Sequence, residues 1–144
     1  MNIEKYDIKI LSDFDYQFFS KGKNGIVEKK VVFCPTEIPN YFRLSFGDVV
    51  NNYIEEMSIS NNGDVDLIIA TVVWSVICFT RQNTKRHVKF TGATESRTRL
   101  FAMWINKNRD ELFKYLNIYG YCNGKCEKFI PNKRYNSFLI SLNL

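Results

Sequence analysis

The sequence predicts an α+β fold: a curved, mainly antiparallel sheet packed against two principal helices, at about 65–82 and 96–116. Three observations predict it. Short stretches that alternate apolar and polar residues recur through the first half, divided by turn residues. One apolar run behind Ser60-Asn-Asn-Gly-Asp64 is longer than an ordinary strand. Residues 88–105, VKFTGATESRTRLFAMWI, read as a strand, a loop and a helix in succession.

Taken in order, residues 6–11 and 16–20 are strands separated by Ser12 and Asp13, and a polar turn at 21–25 leads into a third strand at 27–34 that Pro35 closes. Residues 41–46 alternate cleanly. They put Phe42, Leu44 and Phe46 on one face and Tyr41, Arg43 and Ser45 on the other, the pattern of a half-buried strand. Gly47-Asp48 and Asn51-Asn52 break the next stretch, and a further strand is expected at 54–60, with Met57 and Ile59 on one face.

Asp64 is placed to cap the apolar run, because a carboxylate accepts from the free amides of a first helical turn. The β-branched residues of 65–82 argue locally for a strand, but length and the small Ala70, Thr71 and Ser75 favour a buried helix across the sheet. Trp74 and Phe79 are its expected core aromatics. With Asp66, Thr71 and Ser75 inside it, the apolar run 65–79 is read as too short and too polar for a membrane span.

Val88 to Phe90 form a short strand, and Gly92 permits the turn that leads to the next helix. Thr94 or Ser96 is its N-cap, with Glu95 favourable in the first turn. On a helical wheel Leu100, Phe101, Trp104 and Ile105 gather around Arg97, while Arg99 points away. Arg97 is therefore expected to lean over the core edge toward Asp48, Asp64 or Asp66. Arg99 is left to meet solvent or a ligand. The helix continues to 116 or breaks near Asn106. Asn123-Gly124 then turns a hairpin between strands 118–122 and 125–130, which brings Cys122 near Cys126, and 135–142 closes the sheet.

The chemistry of TGATESRTR is that of an anion cradle. Amides at the helix start, the hydroxyls of Thr94, Ser96 and Thr98, and the guanidinia of Arg97 and Arg99 are the groups that hold phosphate or carboxylate. The segment is not a P-loop, since Gly-x4-Gly-Lys-Ser/Thr is missing, nor a dinucleotide fingerprint. Capped helix starts beside arginines also serve purely structural ends.

Charge is unevenly distributed. Residues 1–80 hold 7 Lys and Arg against 11 Asp and Glu, and residues 81–144 hold 13 against 4, so a net −4 and a net +9 combine to the chain's +5. A cationic face attracts nucleic acid, anionic ligands or an acidic protein. Its 144 residues, 45% of them hydrophobic, suit one α+β domain over 1–144 with a real core. The opening MNIEKYDIKI has no apolar region behind a basic start, which reads as a cytoplasmic protein without a signal peptide.

Cys34, Cys78, Cys122 and Cys126 lack the paired spacing of a structural zinc site and read as free thiols, so neither metal nor cofactor is expected. The single histidine, His87, excludes any site that needs two. No catalytic residue can be assigned, and the enzyme reading is the weaker one. Its one workable form is a metal-independent ribonuclease using His87, Arg97, Arg99 and a tyrosine.

The stretch VKFTGATESRTRLFAMWI, with LSFGD at 44–48, SNNGD at 60–64 and Tyr119-Gly120, resembles DUF6934, a family of unknown function carried mainly by Bacteroidetes. The resemblance runs along essentially the whole chain. It implies a shared fold and a bacterial cytoplasmic setting, and it brings no activity with it.

The chain thus carries two functional expectations. One is a non-enzymatic binding module for nucleic acid or a phosphate-bearing ligand, centred on 88–107. In it Lys85, Arg86, Lys89 and Arg99 meet phosphates, and Tyr119 and Tyr121 stack on bases. The alternative is a protein interaction module, partnered with an acidic protein or with itself as a homodimer.

Overall fold

The computed structural model describes residues 1–55 and 62–144. Its strands are β1 (Lys9–Ile10), β2 (Asp15–Gly22), β3 (Gly25–Pro35), β4 (Tyr41–Val50), β5 (Tyr53–Glu55), β6 (His87–Phe90), β7 (Leu116–Cys122), β8 (Lys125–Lys128) and β9 (Ser137–Leu142). The helices are α1 (Val65–Gln82), α2 (Glu95–Lys107) and α3 (Arg109–Leu112). The strands form one open sheet in the order β1-β2-β3-β4-β6-β9-β7-β8, with β5 paired to the far end of β4. Among the described residues every pairing is antiparallel except β4 with β6. The fold class is the expected α+β.

The three helices among the described residues lie on one face. Tyr16, Phe18, Val31, Phe33, Phe42, Leu44, Val88, Phe90, Phe138 and Ile140 point toward them and are buried. Ten of the eighteen residues of α1 are buried against that face. Phe79 sits at the centre, stacked flat on Phe33 at 3.9 Å and meeting Phe42 edge-on at 4.9 Å. Burial overrides the strand propensity of this β-branched segment. Its buried hydroxyls are satisfied one turn back, Thr71 Oγ1 donating to Leu67 O at 2.6 Å, Ser75 Oγ to Thr71 O at 3.0 Å and Thr80 Oγ1 to Val76 O at 2.8 Å.

Several expectations are corrected. By length and composition α1 is apolar enough to cross a membrane, contrary to the sequence reading, although more than half of it is core. Trp74 is only half-buried, held between Lys5 and Arg81, which lie 4.8 Å and 5.6 Å from its ring. Strand β4 runs through Gly47-Asp48 and turns only at Asn51-Asn52. Met57 and Ile59, expected on the next strand, lie outside the described residues.

Asp64 stands at the N-cap of α1 but makes no side-chain cap. Its Oδ2 instead accepts from Tyr6 Oη and from Ser20 Oγ, each at 2.5 Å, which ties the N-terminal segment and β2 to the start of the helix. The second helix stops at Lys107. Asn108 ends it by donating its side-chain amide to Trp104 O at 2.9 Å, and after the short α3 the chain is a strand from Leu116.

Candidate nucleic-acid interface

Strands alternate, so the residues between the buried ones form the other face of the sheet, and among the described residues no helix packs there. Register places them in rows. Arg43 lies beside Lys89, Lys89 beside Leu139, Leu139 beside Tyr119 and Tyr119 beside Lys128, a line across five strands. One row away Tyr41 pairs with His87, and their rings stack at 5.0 Å and 7°. On the other side Tyr121 pairs with Cys126. The Lys89 ammonium reaches across to 5.1 Å from the Tyr121 ring.

Exposure agrees with this layout. Arg43, Lys89 and Lys128 are exposed, and Tyr41, His87, Tyr119 and Tyr121 are half-buried. None of these three cations has an acidic partner among the described residues, yet Arg43 and Lys89 are direct neighbours in the ladder. Like charges side by side oppose pairing. The acids on this face, Asp15 and Glu28, stand over on β2 and β3, where Ser12 and Gln17 donate to them at 2.6 Å and 2.7 Å.

Tyr121 keeps its proton well into alkaline conditions, its phenol pushed up first by burial and then by Cys126 and Tyr41. It is therefore a neutral ring with a hydrogen-bonding tip. His87 Nδ1 lies 3.0 Å from the Lys85 carbonyl oxygen, which can only accept. In the neutral ring the proton is then on Nδ1, and Nε2 is the open acceptor.

The nine-residue cradle does not stay together. Thr94 is the N-cap of α2, its Oγ1 accepting from Arg97 N at 3.2 Å. Thr98 is buried, and its hydroxyl accepts from Gly92 N at 3.0 Å and donates to Thr94 O at 3.2 Å, so it faces inward. Gly92 is needed there for space, since a Cβ would stand 2.5 Å from Thr98 N. Ser96 is exposed. Arg97 is half-buried beside Leu44, Phe46, Phe90 and Phe101. Of its expected partners, Asp64 is held by Tyr6 and Ser20, and Asp66 lies 3.6 Å from Lys107. Arg99 faces a groove on the helix side of the sheet, away from Lys89.

Of the residues expected to meet nucleic acid, Lys89, Tyr119 and Tyr121 do come together. Lys85 is exposed on the turn before β6. Arg86 is turned into the molecule, its guanidinium 4.1 Å from the Phe79 ring and donating to Phe79 O at 3.0 Å, where it serves the last turn of α1. Cys122 pairs with Lys125 and Tyr121 with Cys126, so the two cysteines occupy opposite faces of the hairpin. All four cysteines are free. Sequence reasoning missed Tyr41, Arg43 and Lys128. The signal for the first two was present as the polar side of β4, but only the parallel pairing of β4 with β6 sets them beside Lys89.

A model of a family of unknown function, DUF6934, matches residues 2–143. The chain belongs to the DUF6934 family. No curated protein and no solved structure matches it.

Proposed function

We propose that this DUF6934 chain is a non-enzymatic module of the bacterial cytoplasm that binds single-stranded nucleic acid on the uncovered face of its sheet. The observation that carries the reading is the row from Arg43 through Lys89 to Lys128, cations without acidic partners among the described residues, interleaved with the rings of Tyr41, His87, Tyr119 and Tyr121. Unpaired strands expose both phosphates and the flat faces of bases, and a basic sheet carrying aromatic rings meets both. A duplex hides its bases and gains only the charge.

The test is fluorescence anisotropy of labelled single-stranded RNA, single-stranded DNA and duplex DNA at two salt concentrations, with the Arg43→Ala/Lys89→Ala variant alongside. Single strands should bind most tightly, with a steep salt dependence. In the variant the slope of log K against log salt should shrink by about one for each phosphate no longer engaged. If no probe binds at low salt, or the variant binds as the parent does, the reading fails and the cations belong to an acidic protein partner or a second copy of the chain.

One observation favours a second reading, metal-independent RNA cleavage. The Nε2 of His87 is the open acceptor, as general-base chemistry requires, and stands on the same face as Arg43 and Lys89. Incubating the labelled RNA with chelator and resolving it on a gel decides this. Intact RNA after prolonged incubation removes the ribonuclease.

A further inference from the structure

Between α2 and the loop that joins β8 to β9 lies a groove of about 240 Å³, on the helix side of the sheet and separate from its uncovered face. Arg99, Met103 and Asn106 line it from the helix, and Asn132, Lys133 and Arg134 from the loop, over a floor of Phe129 and Tyr135. Two of its cations are already answered. Lys133 is bound to Glu127, and Arg134 stands 3.9 Å from Glu95.

The second of these pairs is weak. Both partners are about three-quarters exposed or more, and such pairs contribute little in water. The Arg99 guanidinium has no hydrogen bond or ion pair among the described residues. The groove thus offers one unanswered guanidinium and one loosely held one, with side-chain amides on both walls and an apolar base.

We propose that this groove binds a small phosphomonoester. A phosphate dianion has the charge and the oxygens to engage Arg99 and Arg134 together and to displace Glu95, whereas a carboxylate has one charge to divide between them. The groove is smaller than the usual pocket for a drug-sized ligand, which restricts the organic part to about the size of a pentose. Asn106 and Asn132 supply the donors and acceptors that hydroxyl groups need.

Isothermal titration calorimetry at low salt, with ribose 5-phosphate as the probe and ribose and ribonate as controls, tests the proposal. Ribose 5-phosphate should bind saturably and ribose should not. Both Arg99→Ala and Arg134→Ala alter exposed side chains, and each should weaken binding roughly tenfold or more. Tyr119→Ala, on the other face, should leave it unchanged, so this site and the nucleic-acid face fail or stand independently. No saturable heat at millimolar probe, full binding by Arg99→Ala, or ribonate binding as tightly as ribose 5-phosphate would each overturn the assignment.

Discussion

Tyr41 lies flat against His87, the ring centroids 5.0 Å apart and the planes 7° from parallel, where, alone among the strand pairs of the described residues, neighbouring strands run in the same direction. The pair forms a two-ring platform at one end of the uncovered face. If a base stacks on it, Tyr41→Ala should weaken binding of single-stranded RNA by about 1–3 kcal/mol. The side chain is half-buried, so the circular dichroism spectrum of the variant should match the parent. Loss of affinity with an unchanged spectrum is the result to look for in parallel anisotropy and dichroism measurements.

Arg86 and Lys89 are three residues apart in sequence and behave as opposites. Arg86→Ala removes a guanidinium from the Phe79 ring and a donor from Phe79 O, and should cost about 2 kcal/mol of stability in urea unfolding. It should leave the salt dependence of nucleic-acid binding alone. Lys89→Ala should do the reverse. Running both variants through both assays separates the cation that builds the fold from the one that meets the ligand.

Gly120 is the floor for a ring. A Cβ there would come within 2.3 Å of Tyr135, whose hydroxyl accepts from Ile130 N at 3.0 Å and donates to Glu127 Oε1 at 2.9 Å. The ring is pinned at its tip and has no room to withdraw. Gly120→Ala should therefore destabilise the protein by about 1–3 kcal/mol, read as a lowered urea midpoint with unchanged slope.

Alkali should loosen the fold. Burial pushes the Tyr16 phenol up to about 12 from an ordinary value of 10.0. A group whose folded value is raised gives its full stability below the unfolded value and loses it as pH climbs to the folded one. Stability should thus hold up to about pH 10 and fall between 10 and 12, by at most about 1.4 kcal/mol per pH unit for this group. The raised phenols of Tyr6, Tyr121 and Tyr135 act in the same direction. Tyr16→Phe should flatten the decline in urea titrations taken from pH 9 to 11.5.

The strands were legible where period two is strict. Residues 41–46 divide Phe42 and Leu44 from Tyr41 and Arg43 as the structure does, and length with the small Ala70, Thr71 and Ser75 told α1 from a strand. The face of α2 was harder to place. Hydropathy put Leu100 inward, yet it is 42% exposed while Thr98 is buried, because Thr98 is held by bonds to Gly92 and Thr94 that no hydropathy pattern registers. The extent of the second helix was left open between 116 and a break near Asn106; the break is the one that occurs, at Lys107, and the side chain of Asn108 sets it. The candidate interface was half visible. Lys89, Tyr119 and Tyr121 were named from composition and exposure, whereas Tyr41 and Arg43 join them only through a pairing between strands more than forty positions apart in the chain.

Among the described residues the helices lie on one side of the sheet, so neighbouring positions along a strand answer to separate demands. Phe42, Val88 and Ile118 hold the molecule together, and Tyr41, Lys89 and Tyr119 beside them have only the outside to satisfy. Specificity in such a chain can be rewritten like the teeth of a key, every second residue at a time, while the shaft that carries them keeps its shape.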